Sequence, residues 1–300
     1  MNRIFIHPKD PTLSQACITG DTHLVRHILN TCFDVGNLLS QQNRDGKTAL
    51  HEACIHSQLD CVRLLLEAGS DANALKRGDW TPLMLACTRD NIEIIKLLVN
   101  AGSRLDLKNK DGWNTFMIAC RQGNISTLQY LFEVDNKVSD CVSNNGRTPL
   151  HTAAINNQHQ VLVFLLKHCY VDINLRDVCG VTPLMDACRL HNTTGMMLLL
   201  EIGARSDILD KLGRTALHIA AEAGTNECIY LLLTKTGLCV NSKANNGMTP
   251  LHYAMRERHE AAVSTLLALG ADIAIKDSYG RTAKILSDLC RNTKPILTKT

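Results

Sequence analysis

A short string recurs along this chain at almost constant spacing, and the recurrence limits the fold more than any other feature. The string is Thr-Pro-Leu-His or a close variant, followed by a pair of small residues. Its copies begin at Thr48, Thr81, Asn114, Thr148, Thr182, Thr215 and Thr249, with a weaker eighth at Thr282. Successive copies are 33 or 34 residues apart. A fixed period of this length indicates a repeat stack, in which each unit buries its apolar faces against its neighbours.

One period, residues 45 to 77, predicts the local structure of a unit. Asp45 and Gly46 favour a tight turn, and Thr48 is placed to cap a first helix with its hydroxyl. Gly69 is expected to end a second helix in the left-handed conformation. The period and the string resemble the ankyrin repeat family. The resemblance implies an all-α solenoid of stacked helix–loop–helix units with β-hairpin fingers.

The repeats predict one array over residues 1–300, with about eight repeats and a partial ninth. The expected bounds are an N-terminal cap at 10–43, then 44–76, 77–109, 110–143, 144–177, 178–210, 211–244 and 245–277, and a partial C-terminal cap at 278–300. That last segment is either a minimal cap or a truncated repeat. Residues 133 to 144 depart most from the pattern, which predicts a bend or a longer loop there.

Charge and hydropathy favour some partners and compartments over others. The net charge of +3 is too small to indicate a nucleic-acid or membrane-surface protein. The first residues lack the long apolar core of a signal peptide, and no run of 18 apolar residues could cross a bilayer. We therefore expect a cytoplasmic or nuclear protein.

Several of the 13 cysteines and 12 histidines follow the register of the repeat. Cysteine takes the second small position of the string at Cys54, Cys87, Cys120 and Cys188, and histidine takes the fourth letter at His51, His151, His218 and His252. Core thiols and backbone-bonding imidazoles are the predicted roles, and they favour a reducing compartment. We expect no metal and no cofactor, and no catalytic motif indicates an enzyme.

The residue before the capping threonine departs from the repeat pattern in two adjacent repeats. Both tryptophans of the chain, Trp80 and Trp113, take this position. Tryptophan is enriched in binding hot spots, so the pair favours a protein-binding surface. The alternative is that each ring packs over its own helix and stiffens its finger. The predicted surface comprises residues of these two repeats: Arg77, Asp79, Trp80, Met84, Lys110, Trp113 and Met117.

Two strings in the same repeats carry a narrower resemblance. Segments 75–91 and 108–116, with their Asp-Trp-Thr and Lys-Asn-Lys-Asp-Gly-Trp-Asn strings, resemble the ankyrin repeat domain-containing protein 16 family. The resemblance implies binding to the catalytic domain of alanyl-tRNA synthetase. It also implies that lysines accept misactivated serine, which prevents serine misincorporation without the protein being an enzyme.

The resemblance selects candidate acceptors residue by residue. Lys110 matches an acceptor position directly, whereas two others fall on Arg77 and Asp140, which cannot be acylated in this way. The candidate lysines are therefore Lys110, Lys76, Lys108 and Lys137. The competing hypothesis is a generic ankyrin scaffold or adaptor that binds an unrelated protein. Both hypotheses imply a protein partner, no direct contact with nucleic acid or membrane, and a monomer.

Overall fold

The computed structural model describes residues 12–89 and 91–292, with side chains to residue 288. The chain forms two compact units, Met1–Asn144 and Asn145–Thr300, here called the amino-terminal and carboxy-terminal units. In the described residues, regular structure consists of α-helices and one 3-10 helix, and no helix is long and apolar enough to cross a bilayer.

The amino-terminal unit contains four helix pairs and one additional helix. The pairs are α1 (Leu13–Thr19) with α2 (Thr22–Thr31), α4 (Ala49–Ile55) with α5 (Leu59–Glu67), α6 (Pro82–Ala86) with α7 (Ile92–Asn100), and α8 (Thr115–Gln122) with α9 (Ile125–Val134). Helix α3 (Val35–Ser40) follows the first pair, and a 3-10 helix (Asn136–Asp140) follows the fourth.

The carboxy-terminal unit contains four further pairs and a single helix. The pairs are α10 (Pro149–Ile155) with α11 (His159–His168), α12 (Pro183–Arg189) with α13 (Thr193–Glu201), α14 (Ala216–Ala223) with α15 (Asn226–Thr236), and α16 (Pro250–Glu257) with α17 (Glu260–Ala268). Helix α18 (Ala283–Asn292) begins at the decayed eighth copy of the string.

The recurring string sets where each first helix begins. The Thr148 hydroxyl accepts from the backbone N–H of His151, and the His151 ring accepts from the backbone N–H of Thr148, which makes a reciprocal cap. Where the string reads Asn114, the asparagine side chain accepts from the N–H of Met117 in the same way. Gly69 adopts φ of 91° after α5, as the sequence predicts for a left-handed helix end.

Helices of the same kind stack in order within each unit. In the amino-terminal unit α1, α4, α6 and α8 contact one another in sequence, and α2, α5, α7 and α9 form a second row. In the carboxy-terminal unit one row consists of α10, α12, α14, α16 and α18, and the other consists of α11, α13, α15 and α17. The buried core lies between the rows and includes Cys54, Cys87, Cys120 and Cys188, each with 0% exposure. The predicted all-α solenoid class is confirmed.

Three local features differ from the sequence-based expectation. The fingers between repeats are hydrogen-bonded turns, and within the described residues only two isolated bridges, Lys76 with Trp80 and Lys276 with Thr282, show β pairing. The irregular segment 133–144, for which a bend or a longer loop was predicted, contains the 3-10 helix Asn136–Asp140, which buries Val138. Helix α3 was not predicted, although Asp34 caps it through the N–H of Asn37.

Candidate protein-interaction surface

An asparagine or aspartate five residues before the capping position shapes most of the fingers. In the Trp113 finger, Asn109 Oδ1 accepts from the N–H of Asp111 at 3.0 Å and from the N–H of Trp113 at 2.9 Å. The same arrangement occurs at Asn43, Asp177, Asp210 and Asp277. These contacts fix the turn and therefore the direction in which the residue before the cap projects. Sequence reasoning missed them, although the recurrence of Asn or Asp at this position is a signal for them.

The Trp80 finger is built differently because Lys76 occupies that position. Its turn uses two consecutive left-handed residues, Gly78 at φ 81° and Asp79 at φ 61°. The N–H of Lys76 donates to the Trp80 carbonyl at 3.0 Å, and the N–H of Asp79 donates to the Lys76 carbonyl at 3.0 Å. A left-handed aspartate is strained relative to glycine, so this finger holds its shape at an energetic cost.

Backbone hydrogen bonds join the tips of consecutive fingers. The N–H of Lys110 donates to the Gly78 carbonyl at 3.0 Å, and the N–H of Asn144 donates to the Asp111 carbonyl at 3.0 Å. A Cβ built on Gly112 would lie 2.6 Å from the backbone nitrogen of Asn144, so only glycine permits this approach. The positions of Trp80 and Trp113 are therefore coupled through the backbone.

Both tryptophan rings are half-buried, and each lies near a cation, which for Trp80 is on the same finger and for Trp113 is on the helix that follows. Lys76 Nζ lies 5.4 Å from the centroid of the Trp80 ring, and Arg121 Cζ lies 5.8 Å from that of Trp113. Such contacts are consistent with partial packing within the repeat, while the rest of each ring faces solvent. Arg121 was not among the predicted residues. It lies two helical turns after the Asn114 cap, a spacing that brings it back towards the finger.

The structure corrects the prediction for two methionines. Met84 and Met117 both have 0% exposure and lie in the core at the position that histidine takes in other repeats. A residue with no accessible surface cannot contact a partner, so inclusion of Met84 and Met117 in the binding surface was wrong. The accessible members are Arg77, Asp79, Trp80, Lys110 and Trp113, here called the tryptophan surface.

The candidate lysines differ in their surroundings. Burial, followed by the neighbouring charge of Lys47, lowers the pKa of half-buried Lys76. Lys110 is exposed, and exposed Lys108 donates from Nζ to the Val142 carbonyl at 3.3 Å. Lys137 is exposed on the 3-10 helix after α9.

The signature histidines connect neighbouring repeats as the sequence predicts. His51 Nε2 lies 3.1 Å from the Trp80 carbonyl, and His151 Nε2 lies 3.1 Å from the Val181 carbonyl. Burial lowers the pKa of His51, His151 and His218 to about 4, despite the raising effect of these hydrogen bonds. In the described residues no group of three or more histidine, cysteine, aspartate or glutamate side chains could hold a metal ion.

Comparison with protein families decides the identity of the repeat. The family model described as ankyrin repeats (3 copies) matches residues 7–76, 68–140, 116–210 and 184–277. The chain belongs to the ankyrin repeat family. Ankyrin repeats mediate protein–protein interactions, which supports a protein partner for this ankyrin array.

Curated ankyrin relatives match parts of the array. Mouse Rabankyrin-5 is 34% identical over 143 residues, covering 46% of this chain and 12% of the relative. The E3 ubiquitin-protein ligase XBAT32 of Arabidopsis thaliana is 36% identical over 155 residues, covering 42% of this chain and 30% of the relative. Human transient receptor potential cation channel subfamily A member 1 is 31% identical over 136 residues, covering 43% of this chain and 12% of the relative. The chain thus spans less than a third of each of these relatives.

Proposed function

We propose that this ankyrin protein is a non-enzymatic binding partner that docks through the tryptophan surface. The observation that supports this most is the placement of two half-exposed tryptophans on consecutive fingers with linked backbones. Large rings held in fixed positions lose little conformational freedom on binding. Truncation of such residues commonly weakens binding by 2 kcal/mol or more.

The charges around the rings suit an acidic partner surface. Arg77 and Lys110 are exposed at the tips of the two fingers, and Lys76 lies beside the Trp80 ring. Asp79 is the one acidic member of the tryptophan surface, and it would orient a basic group at the edge of the contact. Electrostatic complementarity of this kind contributes more to the association rate and to specificity than to affinity.

The finer proposal is that the partner is the catalytic domain of alanyl-tRNA synthetase. It rests on the resemblance of segments 75–91 and 108–116 to the ankyrin repeat domain-containing protein 16 family. Docked there, the protein would accept misactivated serine on its lysines and so help prevent serine misincorporation. A cytoplasmic or nuclear monomer without a cofactor, and without direct contact to nucleic acid or membrane, fits this role.

The acceptor chemistry requires an uncharged amine close to an activated serine. The neutral Nζ would attack the carbonyl carbon of seryl-adenylate, and the bond to the phosphate oxygen would break. The products are a seryl-lysine amide, AMP and one proton. Lys110 is the first candidate acceptor because it matches the family position. Lys76 follows because its lowered pKa increases the fraction of free amine; Lys108 and Lys137 are the remaining candidates.

A binding measurement tests the docking proposal. The full chain would be titrated against the immobilised catalytic domain of alanyl-tRNA synthetase by biolayer interferometry. Trp80→Ala with Trp113→Ala should weaken binding at least tenfold, whereas Tyr170→Ala, which removes a fully exposed aromatic ring elsewhere, should leave it unchanged. Unchanged helix content by circular dichroism excludes misfolding. Equal binding by the double variant, with lower thermal stability, would support the stiffening alternative.

A labelling experiment tests the acceptor proposal separately. Incubation with the synthetase, ATP and serine should add seryl mass to Lys110 and Lys76 ahead of Lys167 and Lys235, which are exposed on α11 and α15. Equal labelling of all four would indicate diffusing adenylate. Tight binding without labelling would favour the second candidate, a generic scaffold or adaptor, which the family membership alone also supports.

A further inference from the structure

The fingers of the carboxy-terminal unit bury their carboxylates. The side chains of Asp177, Asp210 and Asp277 are 4%, 2% and 0% exposed. Each accepts backbone N–H groups of its own turn. Each also pairs with an arginine: Arg147 at 3.3 Å, Arg214 at 2.8 Å and Arg281 at 2.7 Å. The negative charge of these fingers is therefore neutralised, within the turn at Asp210 and Asp277 and by the preceding finger at Asp177.

The charges that remain accessible on these fingers are all positive. Lys211, Lys243 and Lys276 are exposed on three consecutive fingers, and Arg176 is exposed on the finger before them. In the described segments 176–181, 209–214, 243–248 and 276–281, no aspartate or glutamate is exposed. The amino-terminal unit differs, because the Asp45 side chain is 68% exposed and Asp111 is also exposed on its fingers.

Apolar side chains lie among these cations. Leu212 is 57% exposed and Tyr279 is 77% exposed at finger tips, and Val178 is 49% exposed on the finger that carries Arg176. Isolated exposed apolar residues are ordinary on protein surfaces. Here they recur on fingers whose accessible charges are all positive. A surface of this composition suits a ligand that is both acidic and apolar.

Backbone bonds hold these fingers at fixed separations. The N–H of Lys211 donates to the Cys179 carbonyl at 2.9 Å, that of Asn245 to the Leu212 carbonyl at 3.0 Å, and that of Ser278 to the Asn246 carbonyl at 3.0 Å. Lys243 Nζ donates to the Lys276 carbonyl at 3.3 Å, which brings this amine beside the next finger. A preorganised surface loses little entropy when a ligand binds.

The spacing sets the length of the ligand. Neighbouring helix pairs are about 10 Å apart, so four fingers span roughly 30 Å. An extended peptide rises about 3.3 Å per residue, so roughly nine residues would cover the row. Duplex DNA carries one charge per about 1.7 Å, far denser than four cations over this length could neutralise.

We propose that these four fingers form a binding site for an extended acidic peptide segment that also carries large apolar side chains. Here the site is called the basic finger surface, with Arg176, Lys211, Lys243 and Lys276 as its cations and Leu212 and Tyr279 as its main apolar contacts. It belongs to a different unit from the tryptophan surface and does not depend on the function proposed above.

Fluorescence anisotropy of the full chain with three synthetic peptides tests the proposal. The probe is a fluorescein-labelled 12-residue peptide in which Glu alternates with Leu and Phe. One control peptide has Gln in place of Glu, and the other has Ser in place of Leu and Phe. At low salt the probe should bind with a Kd at least tenfold below that of either control, because charge and apolar contact are both required.

Matched variants locate the site. Lys211→Gln with Lys243→Gln should weaken probe binding at least tenfold, and Leu212→Ser about fivefold. Lys167→Gln with Lys235→Gln removes the same charge from exposed helix positions of the same unit and should change Kd less than twofold. Trp80→Ala with Trp113→Ala should also leave probe binding unchanged.

Three outcomes would overturn the proposal. The first is the absence of saturable probe binding to the wild-type chain. The second is equal weakening by the finger and helix lysine variants, which would mean nonspecific charge attraction. The third is tighter binding of a fluorescein-labelled 15-residue oligothymidylate than of the peptide, insensitive to Leu212→Ser, which would identify a nucleic-acid surface.

Discussion

The signature histidines are buried neutral groups, and their neutrality makes stability depend on pH. The pKa of His51, His151 and His218 is about 4 in the folded protein, against about 6.5 in an unfolded chain. Between these values the unfolded chain binds more protons. The contribution of each histidine to the free energy of unfolding is therefore fully present above about pH 6.5 and is lost as pH falls towards 4. At pH 5 the loss is on the order of 1 to 2 kcal/mol per histidine.

The chain itself suggests the matched variant for this effect. Met84, Met117 and Met185 fill the same buried position in other repeats, so His151→Met should keep the packing while it removes one titrating group. In urea unfolding, the wild-type protein should lose more stability between pH 7 and pH 5 than the variant does. An equal loss in both proteins would contradict the assignment of the pH dependence to these imidazoles.

The backbone of Asp79 is a second residue-scale feature with a measurable consequence. Its φ of 61° is left-handed, and glycine stands at the equivalent position of the other fingers, for example Gly46 at φ 75°. Asp79→Gly should raise the free energy of unfolding by up to about 1 kcal/mol, because glycine relieves the strain. Asp111→Gly makes the same chemical change at a residue outside the left-handed region and should not stabilise. Equal effects in thermal unfolding would argue against strain at Asp79.

At the scale of elements, the contact between finger tips explains why one glycine is required. Gly112 has φ of 80° and lies against Asn144, whereas Gly69 has φ of 91° with open space around its α-carbon. Gly69→Ala should show the conformational strain alone, about 1 to 2 kcal/mol. Gly112→Ala should lower the free energy of unfolding further, because its methyl group would also separate the fingers. Similar losses for both variants would mean that the tip contact contributes little.

The sequence predicted elements well where one residue determines a boundary. Thr148 and Gly69 each satisfy backbone groups of a helix end by themselves, so their effect is local and readable. The sequence predicted less well those features that depend on contacts between residues far apart in the chain. Met84 and Met117 are buried because the repeats stack. The cation beside Trp113 comes from the far end of α8. The 3-10 helix forms because it buries Val138.

At the scale of the whole molecule, stacked repeats make stability a property of neighbours. Phe116 in the amino-terminal unit and Leu217 in the carboxy-terminal unit are both fully buried. In a repeat stack each unit contacts only adjacent ones, so a cavity should act mainly on the repeats around it. Truncation of such residues to alanine costs about 2 to 5 kcal/mol.

The buried thiols can report this locality repeat by repeat. A thiol reacts as the thiolate, and burial raises the pKa of Cys87 to about 12, so this core cysteine should resist N-ethylmaleimide while exposed Cys179 and Cys239 react at once. The hydrogen bond with Cys188 lowers the pKa of Cys228, so this thiol is protected by its complete burial alone. In pulse alkylation across a urea series, Phe116→Ala should lower the urea concentration at which Cys87 and Cys120 become reactive.

The reciprocal variant completes the comparison. Leu217→Ala should act instead on Cys188 and Cys228, which lie in helices α12 and α15 that contact α14. Peptide mass spectrometry would follow all four thiols in the same samples, with Cys179 as the internal standard for reagent. The expected pattern is two different orders of exposure in the two variants. If both variants shift the urea concentration of exposure equally for all four thiols, the array unfolds as one cooperative body. A cavity in one repeat would then destabilise distant repeats as much as its neighbours.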